Sequence, residues 1–211
     1  RVQTCALPIS TPTVSRRALD SVFAQDYTDF KVFVIGDKYE NNQEFVDICS
    51  AYDKEKLYYE NLPFAAERDK YTDKWVLWSY AGCFANNYGI DLAVSSGFEY
   101  VCHLDHDDEW LPNHLSSLKY GIDKTNSPFL CTKSEYTFGQ VLPRVQSDLE
   151  IIPFMPSGGQ LIHSSTCINF KRIPLRHKSR WEQAAKTMYN NTYINGFLIP
   201  SVDIWKNLEY I

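Results

Sequence analysis

No apolar run in this chain approaches the ~20 residues that a membrane-spanning helix needs. Nor is there a secretory signal, a C-x-x-C pair, an internal repeat, a low-complexity tract or a linker to a second domain. Each absence removes a class. Without a span or signal, a soluble cytoplasmic protein is expected. The six cysteines, Cys5, Cys49, Cys83, Cys102, Cys131 and Cys167, are scattered, and several lie inside apolar runs. They read as buried free thiols in a reducing compartment rather than a disulfide framework. The formal net charge of −5 lacks the basic face that broad nucleic-acid binding requires.

What is there fits one globular domain. Its 211 residues, 44% hydrophobic and 22% charged, suffice for a sizeable core. Aromatic content is high, with 14 Tyr, 12 Phe and 5 Trp. Such rings suit sugars or bases as platforms, although most of them must be core.

The chain is organised around Tyr100 to Pro112, YVCHLDHDDEWLP. A short apolar run stopped by Asp105, Asp107, Asp108 and Glu109 reads as a buried parallel strand with acids at its carboxyl end. Ligands of open α/β sheets bind outside those ends. Two like charges ~4 Å apart cost about 4 kcal/mol at an effective dielectric near 20, a cost that a divalent cation removes. A solvated acidic turn capping the next helix is the other reading, since Pro112 suits a first helical turn.

The remaining periodicity alternates. Thr11-Pro12 opens a helix to about Gln25, Phe30–Ile35 is a strand closed by Gly36-Asp37, and Phe45, Ile48, Cys49 and Tyr52 share a helical face. Leu57–Tyr59 is a short strand, Trp75–Ala93 a helix, and Pro112 to about Asp123 another. That order predicts an α/β fold with a mostly parallel sheet flanked by helices. Beyond it, Phe129–Tyr136 and Gly139–Val145 are expected to form a hairpin around Thr137-Phe138. Cys167–Phe170 reads as a strand, and Trp181–Tyr189 and Ser201–Tyr210 as helices. Gln3 to Ile9, QTCALPI, is similar to the translation of a sequencing adapter, so residues 1–9 are set aside as non-native. Residues 10–211 are expected to be a single domain truncated at both ends.

The succession RRALDSVFAQDYTDFKVFVIGD, FANNYGIDLA and VCHLDHDDEWLPNHL resembles family 2 glycosyltransferases of the GT-A fold, a Rossmann-like sheet with a smaller mixed acceptor-side region. The match is good from Thr11 to Leu118 and looser beyond. It implies an inverting transfer from a nucleotide-diphosphate sugar, a UDP-sugar above all, to a glycan or lipid-linked acceptor, with Mn²⁺ or Mg²⁺ as cofactor. Polysaccharide synthesis at the inner face of the cell membrane, by peripheral contact, is the setting the family suggests.

By residue, the resemblance implies that Asp37 contacts the uracil, Asp105 lies near the ribose and metal, and Asp107 reaches the metal. Asn86 stands in the segment that helps hold the nucleotide, where the family's Ala-Arg-Asn becomes Ala85-Asn86-Asn87. Asp203, in Pro200-Ser201-Val202-Asp203-Ile204-Trp205, is the nominated general base, or else a helix N-terminal acid. His163 is an acceptor-side or metal candidate, whereas His103 and His106 read as structural. Gly36 replaces the first acid of a common Asp-Asp pair. A catalytically weak nucleotide-sugar or glycan-binding module is the alternative, and a metal-dependent phosphohydrolase or nucleotidyltransferase using the same acids is a third reading.

Overall fold

The computed structural model describes residues 2–6, 12–73, 77, 80, 82–136, 139–145, 149–153, 161–177, 192–194 and 197–199. Its elements in chain order are β1 (Val2–Ala6), α1 (Pro12–Phe23), β2 (Phe30–Gly36), α2 (Asn42–Cys49), β3 (Leu57–Asn61), α3 (Cys83–Ser95), β4 (Tyr100–Leu104) and α4 (His114–Thr125). There follow β5 (Phe129–Cys131), β6 (Ser134–Tyr136), β7 (Gln140–Leu142), a 3₁₀ turn (His163–Ser165), β8 (Thr166–Asn169), β9 (Thr192–Ile194) and β10 (Phe197–Ile199).

Six strands form the main sheet in the order β3-β2-β1-β4-β8-β5. The first four are parallel, β8 runs antiparallel to β4, and β5 runs antiparallel to β8. The chain travels outward from β1 to β3 and then returns to place β4 on the other side of β1. The strand order therefore reverses between β1 and β4, which is where open α/β sheets leave a crevice.

Val2–Ala6, inside the segment set aside from the sequence, supplies the central strand β1 between β2 and β4. Ladder bonds join backbone groups, so almost any short extended segment can fill that gap.

Strand alternation distributes the core over both faces. On one face, Val32, Val34, Cys102 and Leu104 pack against Leu19 and Val22 of α1, Phe45 and Ile48 of α2, and Leu115 and Leu118 of α4. On the other, Phe33 and Val101 meet Ile90 and Ala93 of α3, with Ile168 and Phe170. All five β4 residues are buried, as a strand covered on both faces requires. Cys49, Cys102 and Cys167 are buried free thiols, and burial pushes Cys49 and Cys131 up to about 12.

Two expectations are corrected. The helical period seen from Trp75 to Ala93 is interrupted by Gly82, left-handed at φ 69°, and the helix that packs on the sheet begins at Cys83. Phe129–Tyr136 is not one strand: β6 and β7 form the hairpin, while β5 leaves it to pair with β8 at the sheet edge. The strand at β8 is present, but its place beside β4 follows from long-range pairing that local pattern does not encode. The expected helices at Trp181–Tyr189 and Ser201–Tyr210 lie outside the described residues.

Candidate functional site

Two acids follow directly on parallel strands that flank β1: Asp37 after β2 and Asp105 after β4. Two strand spacings set them about 10 Å apart along one sheet edge.

The Asp37 end is built from loops. Asp37 is 8% exposed, and Arg68 Nε donates to its Oδ2 at 3.2 Å. Arg68 Nη2 also donates to the carbonyls of Asp37 and Lys38. Lys38 adopts a left-handed φ of 53°, a strained turn that these contacts hold in place. Asn61 pins the same turn, accepting from Tyr39 N–H at 2.7 Å and donating to Tyr39 C=O at 3.0 Å. That clamp explains Gly36. A Cβ there would meet Asn61 Oδ1 at 2.6 Å, so an acid at this position has no room. Beside it, buried Glu67 accepts the N–H of Phe84 at the start of α3. Burial raises its pKa, and the nearby Asp37 charge adds to that.

The β4 end is fastened by Ser164. Its Oγ accepts the Asp105 N–H at 2.9 Å and donates to Asp108 Oδ2 at 2.5 Å, while its carbonyl accepts the Trp110 indole at 2.6 Å. Gln25 holds the next turn, donating to Leu111 C=O and accepting from Leu115 N–H. Arg17 pairs with Glu109.

These contacts separate the acids by role. Burial opposes ionisation of Asp105, but the His163 imidazole, by charge and by hydrogen bond, holds its pKa below the ordinary value. Asp108 goes the other way: burial and the charges of Asp105 and Asp107 outweigh its Ser164 bond and raise its pKa. The Asp107 side chain is 67% exposed and points outward. Asp107 and the part-exposed Asp105 thus keep carboxylate oxygens accessible to solvent, donors of the type that suits a hard cation such as Mg²⁺ or Mn²⁺. Asp108 is engaged by Ser164 and serves the loop.

The other candidate residues are placed as follows. Asn86 is 3% exposed and its Nδ2 donates to Gly82 C=O, one turn back on its own helix. Asn87 ties α3 to a distant segment, accepting from His177 N–H at 2.7 Å and donating to His177 C=O at 3.0 Å. His163 Nδ1 lies 2.9 Å from Asp105 Oδ1. His103 does not stand alone in the core, because its ring contacts those of His163 and His177. Asp203 lies outside the described residues. Arg68, Ser164 and His177 escaped the sequence reading because each sits in an irregular segment with no periodic signal.

No protein-family model matches the chain. It is 39% identical over 165 residues to an uncharacterized glycosyltransferase of Acanthamoeba polyphaga mimivirus, covering 75% of this chain and 66% of that one. It is 32% identical over 99 residues to the amylovoran biosynthesis glycosyltransferase AmsB of Erwinia amylovora, covering 46% and 27%. Among solved structures, S. aureus TarS in complex with UDP superposes at a TM-score of 0.63 with 16% identity, over 90% of this chain and 54% of that one. The mannosyltransferase PcManGT of Pyrobaculum calidifontis, in complex with GDP-Man and Mn²⁺, superposes at 0.53 with 12% identity, over 82% and 46%. The chain thus spans 66% and 27% of the two sequence relatives' lengths. The chain is thus similar in sequence to glycosyltransferases over part of their length, and its fold is the GT-A fold.

Proposed function

We propose that the chain transfers a glycosyl group from a nucleotide-diphosphate sugar, best matched by a UDP-sugar, to a hydroxyl of a glycan or lipid-linked acceptor, with inversion, as in family 2. One observation carries the reading: Asp37 and the Asp105–Asp107 pair end strands on either side of β1, at the point where strand order reverses. The nucleoside part is assigned to the Asp37–Arg68 end and the diphosphate to the Asp105–Asp107 end. The relatives' names support the reaction class. The UDP and UDP-GlcNAc complexes of TarS favour a UDP-sugar.

Asp105 and Asp107 would hold a Mg²⁺ or Mn²⁺ ion, which when bound neutralises the charge gathering on the diphosphate leaving group. The protein's own share is to fix the loop. Ser164 anchors the Asp105 amide, and His163 keeps Asp105 ionised as a ligand. Asp203 is assigned the removal of the acceptor proton. The adapter-like origin of residues 1–9, a single natural domain over 10–211 whose sheet residues 2–6 complete as β1, and a cytoplasmic, membrane-adjacent setting belong to the same proposal. No helix among the described residues is long and apolar enough to cross a membrane.

Calorimetry of UDP against the purified chain, with and without Mn²⁺, tests the reading. Metal-dependent UDP binding that disappears in Asp107→Ala, with the fold retained, is the expected result. UDP binding indifferent to metal refutes it. Donor hydrolysis that is lost in Asp203→Asn separates an enzyme from a binding module.

A further inference from the structure

Behind the acid loop, on the α3 face of the sheet, three histidines from distant parts of the chain converge. His103 is the fourth residue of β4, His163 opens the 3₁₀ turn, and His177 is held by its paired bonds with Asn87 of α3. One ring nitrogen from each lies within 4.8 Å of the other two. Ring centroids are 4.4 Å apart for His103 and His163, 5.1 Å for His163 and His177, and 5.5 Å for His103 and His177. His103 is 0% and His177 8% exposed. We propose that these three imidazoles form a binding site for a borderline-soft divalent transition ion, with Zn²⁺ the best match, distinct from the oxygen-ligand site at Asp105 and Asp107.

The donor chemistry selects the ion. Neutral imidazole nitrogens favour Zn²⁺, Cu²⁺, Ni²⁺ or Co²⁺ over Mg²⁺. The His163 ring is oriented from outside the cluster. His163 Nδ1 lies 2.9 Å from Asp105 Oδ1, so that nitrogen is engaged by the carboxylate. The second ring nitrogen, Nε2, is buried on the side away from that contact. A carboxylate fixing the tautomer of a histidine ligand through its second nitrogen is the usual outer-sphere arrangement of zinc sites.

The spacing is near that of a bound state. Zn–N distances of about 2.0–2.1 Å put tetrahedral donors ~3.4 Å apart. The widest separation of 4.8 Å therefore closes by at most ~1.4 Å, within reach of small rotations of three rings. A fourth position remains for water or another ligand.

The position suggests what the ion does. His163 touches the ion through Nε2 and Asp105 through Nδ1, so metal binding and the carboxylate are coupled through a single ring. The expected role is structural and orienting: it locks β4, the 3₁₀ turn and the His177 segment together beneath the crevice. This inference does not rest on the transferase reading.

The test is made on the whole purified chain, stripped with chelator and then loaded with Zn²⁺ or Co²⁺. About one Zn²⁺ per chain should be retained after desalting, as a single three-histidine site requires. The Co²⁺ form should show the intense visible bands of a four-coordinate nitrogen-ligand site. His177→Gln and His103→Phe should each weaken Zn²⁺ binding by about 100-fold or more, since each removes a direct ligand. Asp107→Asn should leave it unchanged. Retention of no ion, a weak six-coordinate Co²⁺ spectrum, undiminished binding in folded His177→Gln, or loss of binding in Asp107→Asn overturns the proposal. Should either histidine variant fail to fold, the wild-type Co²⁺ spectrum alone decides.

Discussion

Lowering the pH from 7 to 5 should weaken the fold by about 2 kcal/mol through one residue, His114. Its ring is 6% exposed and stacks on Trp110 with centroids 4.2 Å apart and an interplanar angle of 19°. Nδ1 lies 3.1 Å from Thr132 Oγ1. Burial pushes its pKa down to about 3. In the unfolded chain the same ring titrates near 6.5. Because the folded value is depressed, the unfolded state takes up the proton first, and stability falls as pH drops below about 6.5. Between pH 7 and 5 a group neutral in the folded state and titrating near 6.5 in the unfolded one contributes about 2 kcal/mol. Urea unfolding of wild type and His114→Asn at both pH values measures it. Asn keeps a polar atom near the place of Nδ1, and the cavity it leaves is the same at both pH values. His103 and His177 titrate alike in both proteins and cancel in the difference. With a slope of about 2 kcal/mol/M, the wild-type midpoint should move about 1 M further than the variant's. Equal shifts would show that the folded ring carries a proton, and would refute the reasoning.

Three other outcomes follow from the same geometry. Ser164→Ala removes the acceptor of the Asp105 amide and the donor to Asp108, and should cost about 2–4 kcal/mol in urea unfolding while weakening metal-dependent UDP binding. A loss under 0.5 kcal/mol would mean that the serine is not the fastening point. Gly36→Asp forces a side chain onto Asn61 and should destabilise by about 1–3 kcal/mol in a thermal melt. Unchanged melting would show that the β2–β3 edge opens freely. Arg68→Met leaves the buried Asp37 carboxylate without its guanidinium partner; Arg68 is half-exposed, so the expected cost is only about 1–2 kcal/mol, with reduced UDP affinity by calorimetry. Full UDP affinity in that variant would detach the Asp37 end from nucleotide binding.

The sequence by itself determined the α/β alternation and the acids at the strand ends. Both are written along the chain: a run of β-branched and aromatic residues makes a strand, and its polar terminus follows within one or two positions, as at Ile35–Asp37 and Leu104–Asp105. Only the tertiary structure decided what those acids touch. Arg68 reaches Asp37 across 31 positions, Ser164 meets Asp105 across 59, and His177 bonds Asn87 across 90. Such contacts depend on where loops return after the sheet has formed, and loop residues carry no period from which to read it. For the same reason β5 looked like half of a hairpin, and nothing along the chain joined His103 to His163 and His177. Strand pairing and side-chain clusters are properties of the packed sheet, in which residues far apart in the chain become neighbours.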